Sequence, residues 1–455
     1  MNSANTSITG AARQAPSLDG YPLVGILPKL WKNPLKFFLD TAIQYGDVVQ
    51  MKMGSKEMYL VSRPESVKYI LQDNNRNFRK GYDQAKPLMG EGLVTSEGDF
   101  WLRQRRIMQP SFHRDQIATF SNIMLQATEA MLERWRWPAQ DGQPLDMAVE
   151  MMRLTQTIIL RTMFSTDIGA QAETIGKAFD ITLEHLNQIL FSPFELLTRL
   201  PTPANLRHKR ALRFLDDFVY GLITNRRKSG EDNGDLLSRL ILARDQETGE
   251  GMTDQQVRDE VMTIFLAGHE TTANALAWTW YLLSQHPEVE ETIEAEIEVL
   301  SGGRPPTFED ISRLEYTNQV FSEALRLYPP AWMFVRHAVE DDVIGGYRVP
   351  AGMMLMISPY VTHRLPDVWE QPERFDPDRF SPERSKDRPR FSYYPFSGGP
   401  RVCIGNNFAT VEALLIMARV VQCYRLRLVP GYRVEARPIA TLQPHPGVLM
   451  QVTAK

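Results

Sequence analysis

The stretch TDQQVRDEVMTIFLAGHETTANALAWTWYLLSQHP, residues 253–287, constrains the fold more than any other part of the chain. Thr253 followed three residues later by Gln256 is a capping box, and apolar residues then recur at spacings of three and four until His286-Pro287 stops the pattern. The expected helix exceeds thirty residues, where a globular helix averages about 11 to 12. Such a rod has to cross the middle of one large domain, because two independent domains of ordinary size would not need it.

Other segments carry the same spacing. DFWLRQRRIM, IATFSNIMLQATEAMLERW, PLDMAVEMMRLTQTIILRTMF and LRFLDDFVYGLITNRR make residues 97–300 a helix-rich body. FEDISRLEYTNQVFSEALRLY predicts another helix, halted by Pro329-Pro330. VVQMKMGSKEMYLVS reads as two strands around a Gly-Ser turn, so a small sheet is expected near the N-terminus. YRVPAGMMLMIS and the last thirty residues are also strand-like, and residues 362–400 are irregular and rich in Pro and Arg. The fold class is mainly α with small β-sheets. The expected organisation is one domain over residues 1–455, with 1–20 a flexible segment.

Composition narrows the function classes. A net charge of -4 on 455 residues gives nothing global for nucleic acid to hold. The apolar runs fall short of a membrane span, which needs about 20 residues, and the opening lacks the basic start and apolar core of a signal peptide. The chain has two cysteines, Cys403 and Cys423, which make no disulfide framework and suit a reducing compartment, so the cytoplasm is expected.

Cys403 stands in FSGGPRVCIGNNFAT, just ahead of a helical pattern. Unpaired N–H groups and the positive end of the helix dipole favour a thiolate there, as a ligand or as a nucleophile, and a buried structural cysteine is the bland alternative. Gly398, Gly399 and Gly405 let the backbone approach something bulky, and Arg401 can pair with an acid on it. The run Ala267-Gly268-His269-Glu270-Thr271-Thr272 places poor helix formers in mid-helix. Either the helix widens locally, freeing a threonine hydroxyl for water or dioxygen with Glu270 as proton donor, or it packs closely at Gly268. His269-Glu270 also invites comparison with H-E-x-x-H, but Ala273 stands where the second zinc-binding histidine belongs. Glu323 and Arg326 share a helix face, as do Trp101 and Arg105, and each pair alone reads equally well as surface chemistry.

Taken together, Phe396-x-x-Gly399-x-Arg401-x-Cys403-x-Gly405, A-G-H-E-T-T, Glu323-x-x-Arg326 and Trp101-x-x-x-Arg105 resemble the motif set of the cytochrome P-450 superfamily, in that family's order and over nearly the whole chain. The resemblance implies a single helix-rich fold with the long helix over a haem b. It implies Cys403 as the iron ligand, Phe396, Gly399 and Gly405 in the haem loop, and Arg401, Arg105, Trp101 and Arg336 at the haem propionates. Glu270 and Thr271 become the acid and alcohol of dioxygen activation. Glu323 and Arg326 become a structural lock completed by Arg374 or Arg379, with Arg379 favoured by its distance from the cysteine. Family position gives the substrate cavity GYDQAKPLMGEGLV, FSPFELL, Ala267, Ala331, Phe334, Ala440 and Thr441.

The function implied is hydroxylation or epoxidation of a hydrophobic small molecule such as a fatty acid or terpenoid, with dioxygen as co-substrate. The motif forms look closer to fatty-acid-hydroxylating relatives than to short camphor-type enzymes. No flavin or iron–sulfur segment follows the final strands, so a separate ferredoxin or flavodoxin with its reductase is expected, on a monomer with no transmembrane anchor. Arg384, Lys386, Arg388 and Arg390, joined by Arg103 and Arg106, would form its basic docking patch. The rival classes are a haem-thiolate sensor, a peroxide-driven peroxygenase and a cysteine hydrolase. The last has no histidine that the sequence places near Cys403.

Overall fold

The computed structural model describes residues 12–18, 20–21, 24–54, 56–165, 172–191 and 200–455. Two compact units divide them, and neither is continuous in sequence. Unit one is drawn from residues 1–81, 333–373 and 388–402, and unit two from 82–332, 374–387 and 403–455.

Unit one is built on a six-stranded sheet in the order Ser17–Leu18, Val48–Met53, Lys56–Val61, Met354–Ile357, Phe334–Ala338, Phe78–Lys80. The hairpin expected around Gly54 forms, and Gly54 turns with φ +60°. Lys56–Val61 then pairs in parallel with Met354–Ile357, a partner nearly 300 residues away. The helix Pro34–Tyr45, capped by the Asn33 side chain, buries Leu35, Phe38 and Ala42. Period-two alternation sends Phe334, Arg336 and Ala338 to the same buried side of their strand, two apolar groups around one cation. Of the expected flexible segment, residues 1–11 lie outside the described residues. Ser17 and Leu18 pair with Gln50 and Met51, so this later part belongs to the sheet.

Unit two holds the long helix, which runs Asp254–Leu283. The capping box is made in both directions: Gln256 N donates to Thr253 Oγ1 at 3.2 Å, and Thr253 N donates to Gln256 Oε1 at 2.8 Å. The helix ends before His286 because Pro287 opens the next one, Pro287–Ser301. Met147–Phe164 packs along the long helix, and Thr155 Oγ1 donates across to His269 O at 3.0 Å. Around this pair lie Arg114–Asp141, Pro203–Ser229, Glu315–Leu327 and Asn406–Cys423. The helix expected over 308–328 is divided. Phe308–Arg313 is a 3-10 turn closed by Thr307 and Asp310, and non-helical Leu314 separates it from Glu315–Leu327. Among the final strands, Leu442–His445 touches the long helix, with Trp278 Nε1 donating to Leu442 O at 3.0 Å.

Candidate active site

From Val257 to Trp280 every residue of the long helix is buried except Ala267, Gly268 and Thr271. These are neighbours at spacings of three and four, so they open one window on one face of an otherwise enclosed rod. The window holds a methyl, a bare backbone and a single hydroxyl. The expected widening is not there, since the helix is α throughout. Close packing accounts for Gly268 instead, because a Cβ at that position would lie 3.3 Å from Ile159 Cδ1. Thr271 Oγ1 is not released from its own helix either: it donates to Ala267 O at 2.7 Å, leaving its lone pairs as acceptors in the window.

Glu270 is adjacent in sequence but turns elsewhere. It is 1% exposed, and its Oε1 accepts from Thr441 Oγ1 at 2.5 Å and from Gln443 Nε2 at 2.7 Å. Burial pushes its carboxyl above the usual carboxylate range; the bonds from Thr441 and Gln443 pull it partway back, and the charge of Asp180 adds to the rise. No hydrogen bond joins Glu270 to Thr271 among the described residues. Gln443 carried no sequence signal, and Thr441, expected in the cavity wall, is buried with its hydroxyl on Glu270. The other cavity residues differ in exposure: Ala267 is exposed, Ala331 and Ala440 are half-buried, and Phe334 is buried. Residues 192–197 of FSPFELL lie outside the described residues.

Cys403 is exposed and sits three residues before Asn406–Cys423, whose N-cap, Gly405, supplies no side-chain bond to the first turn. The helix start adds positive potential near the sulfur, with Asn407 N donating to Asn406 Oδ1 at 2.6 Å. Trp101 is buried in the helix Gly98–Met108, and Arg105 follows on the same face. Burial lowers the Arg105 guanidinium, and the Cys403 thiolate, close enough to act on it, opposes that.

The glycines divide in purpose. A Cβ on Gly398 would meet the Phe391 ring at 2.2 Å, and one on Gly399, at φ +64°, would lie 1.9 Å from Leu71 O. Those two therefore admit protein. Gly405 alone stays open on the sulfur side, its nearest neighbour being Cys403 Sγ at 3.9 Å.

In unit one, Arg336 is 4% exposed, and its only hydrogen bond among the described residues goes to Val335 O at 2.9 Å. A buried guanidinium without an acid calls for an anionic partner. Phe396 and Arg401 are half-buried in the Cys403 loop. Within unit two, an exposed sulfur ahead of a helix start, with Gly405 left open beside it and Arg105 within its electrostatic reach, fits a haem iron and one carboxylate.

The lock is complete within unit two. Glu323 and Arg326 are both fully buried, and Arg326 donates Nε and Nη2 to the two carboxylate oxygens at 2.7 and 2.8 Å. The two candidate arginines contribute differently. Arg379 brings its side chain to 3.4 Å from Glu323 Oε1, whereas Arg374 offers only its backbone carbonyl, to Arg326 Nη2 at 3.2 Å. The expected basic patch is narrower, because Arg103 pairs with Glu250, Arg106 with Asp245 and Glu247, and Arg384 with Asp376.

A family model described as cytochrome P450 matches residues 15–452. Cyclooctatin synthase of Streptomyces melanosporofaciens is 40% identical over 98% of this chain and 97% of its own length. Cyclooctat-9-en-7-ol 5-monooxygenase of the same organism is 40% identical over 90% and 89%. Pentalenene oxygenase of Streptomyces avermitilis is 36% identical over 100% and 99%. The crystal structure of the cytochrome P450DA heme domain resembles the chain with a TM-score of 0.90 at 28% identity, over 97% of this chain and 98% of that one.

Proposed function

Because the chain belongs to the cytochrome P450 family, we propose that it hydroxylates or epoxidises a cyclic terpenoid, with Cys403 as the iron ligand. Membership makes it a haem-thiolate monooxygenase that uses dioxygen, takes electrons from a redox partner and acts on a hydrophobic small molecule. The names of three relatives, which specify cyclooctatin, a cyclooctat-9-en-7-ol and pentalenene, support a terpenoid over the fatty acid that the motif forms suggested.

When bound, haem b supplies the activation of dioxygen and the oxidation of a C–H bond, and thiolate ligation favours O–O cleavage. The chain's own residues do the rest. Cys403 gives the thiolate, the observation that carries the assignment being an exposed sulfur three residues before the start of the helix Asn406–Cys423. Arg105, Arg336 and Arg401 are the proposed propionate partners, with Trp101 beside Arg105. Ala267 and Gly268 present an apolar surface to the substrate, and Thr271 offers an acceptor oxygen that can hold a water while its own hydroxyl donates to Ala267 O. Glu270 is the proposed proton donor, its raised carboxyl keeping a proton to higher pH. No helix among the described residues is long and apolar enough to cross a membrane. We place the protein in the cytoplasm as a monomer served by a ferredoxin or flavodoxin with its reductase, the docking reading resting on the exposed Lys386, since Arg384 is held by Asp376.

A screen of cyclic terpenoids against fatty acids, followed by displacement of iron-bound water in the absorption spectrum, tests the substrate class. Terpenoid olefins should give the larger spectral change at low concentration. Saturation by fatty acids alone would overturn it.

A further inference from the structure

Thr441 lies just before the strand Leu442–His445 and is buried against the long helix. Its hydroxyl sits between two groups one turn apart on that helix. Asn274 Nδ2 donates to Thr441 Oγ1 at 3.1 Å, and Thr441 Oγ1 is 2.5 Å from Glu270 Oε1. An amide NH₂ only donates, so the Thr441 oxygen is the acceptor on that side and its own proton is turned to Glu270. Gln443, two residues further on, adds a second donor to the same oxygen at 2.7 Å. Oε1 thus receives two hydrogen bonds and has no room to carry a proton. Oε2 receives none from the described residues.

We propose that Thr441 and Gln443 are positioning residues for Glu270, holding Oε1 so that the carboxyl gains and loses its proton at Oε2 alone. This rests on the reading of Glu270 as proton donor. A buried carboxyl that could spin would present its proton in either direction, and one clamped by two donors on a single oxygen presents it in one. Both donors also favour the ionised form, so they keep burial from locking the proton on. The only charged side chain among the described residues that acts on Glu270 is Asp180 of the helix Ala172–Phe191, and it works in the direction of burial.

The test is an infrared pH titration of the haem-loaded protein, with the Glu270 band identified by its loss in Glu270→Gln. Thr441→Val and Gln443→Leu should each move the protonated carbonyl band to higher frequency. Each should also raise its titration midpoint by roughly one pH unit, a tenfold gain in proton affinity. Thr441→Ser, which keeps the hydroxyl, should stay near the wild type in both. Wild-type band and midpoint in the Val and Leu variants would overturn the proposal. Gln443 is half-buried, so its variant carries the test if Thr441→Val fails to fold. Separately, Glu270→Gln with unchanged coupling of electrons to product would end the proton-donor reading while leaving the infrared result standing.

Discussion

Arg336 is a buried guanidinium that meets its own neighbour's carbonyl and no acid among the described residues. Burying a charge without a partner is costly, so the haem-free protein carries a penalty that an anionic ligand would relieve. Arg336→Leu should therefore leave the haem-free protein at least as stable as the wild type while haem dissociates faster, read by thermal melting and by transfer to an acceptor globin. A variant that destabilises the haem-free protein and holds haem normally would remove the propionate role. Glu270 makes a second residue-scale case, because its carboxyl is raised and its neutral form is the one that suits the fold. That contribution is complete below the unfolded value near 4.5 and is lost as pH rises through the higher folded value. The melting-temperature advantage of Glu270→Gln over wild type should thus widen with rising pH and then level; a constant gap would contradict the burial argument. At this scale motifs singled out Cys403, Glu270 and Thr271. They gave no sign of where Glu270 points, because Thr441 and Gln443 are 171 and 173 positions away. The glycines of the Cys403 loop were legible as close approaches, but what approaches Gly398 and Gly399 is Phe391 and Leu71.

Among the elements, the Glu323–Arg326 pair turns a single turn of one helix into an anchor for the irregular segment after it. Asp376 N donates to Glu323 Oε1 at 3.0 Å, and Arg379 reaches the same oxygen. Removing one partner from a buried ion pair strands the other, so Arg326→Leu should cost about 3–5 kcal/mol and impair haem retention. Arg379→Ala should also destabilise clearly. Arg374→Ala should stay within about 0.5 kcal/mol, because that residue's side chain is exposed and its part is played by the backbone. Equal losses from Arg374→Ala and Arg379→Ala in chemical denaturation would refute this division. Spacing alone could not settle the choice, since both arginines lie in one irregular stretch whose path depends on the lock itself. The long helix, by contrast, was readable to within three residues, because a capping box and a following proline are local signals. The six-stranded sheet was not, because a strand does not announce a partner nearly 300 residues away.

For the whole molecule, the order of motifs along the chain identified the family without any pairing of distant segments, and the match over residues 15–452 bears that out. The charges expected to dock a redox partner were harder to read. A basic residue in sequence is a docking group only if no acid of its own chain holds it, and Arg103, Arg106 and Arg384 are held. Cys403 is proposed to present a thiolate to haem iron. This is tested most directly by the absorption spectrum of the reduced carbon monoxide complex of the purified protein. The purified protein should be red with a strongly red-shifted Soret band, and Cys403→Ala should lose that band. A protein that takes up no haem, or one whose Soret band is unchanged when Cys403 is replaced, would contradict this ligation.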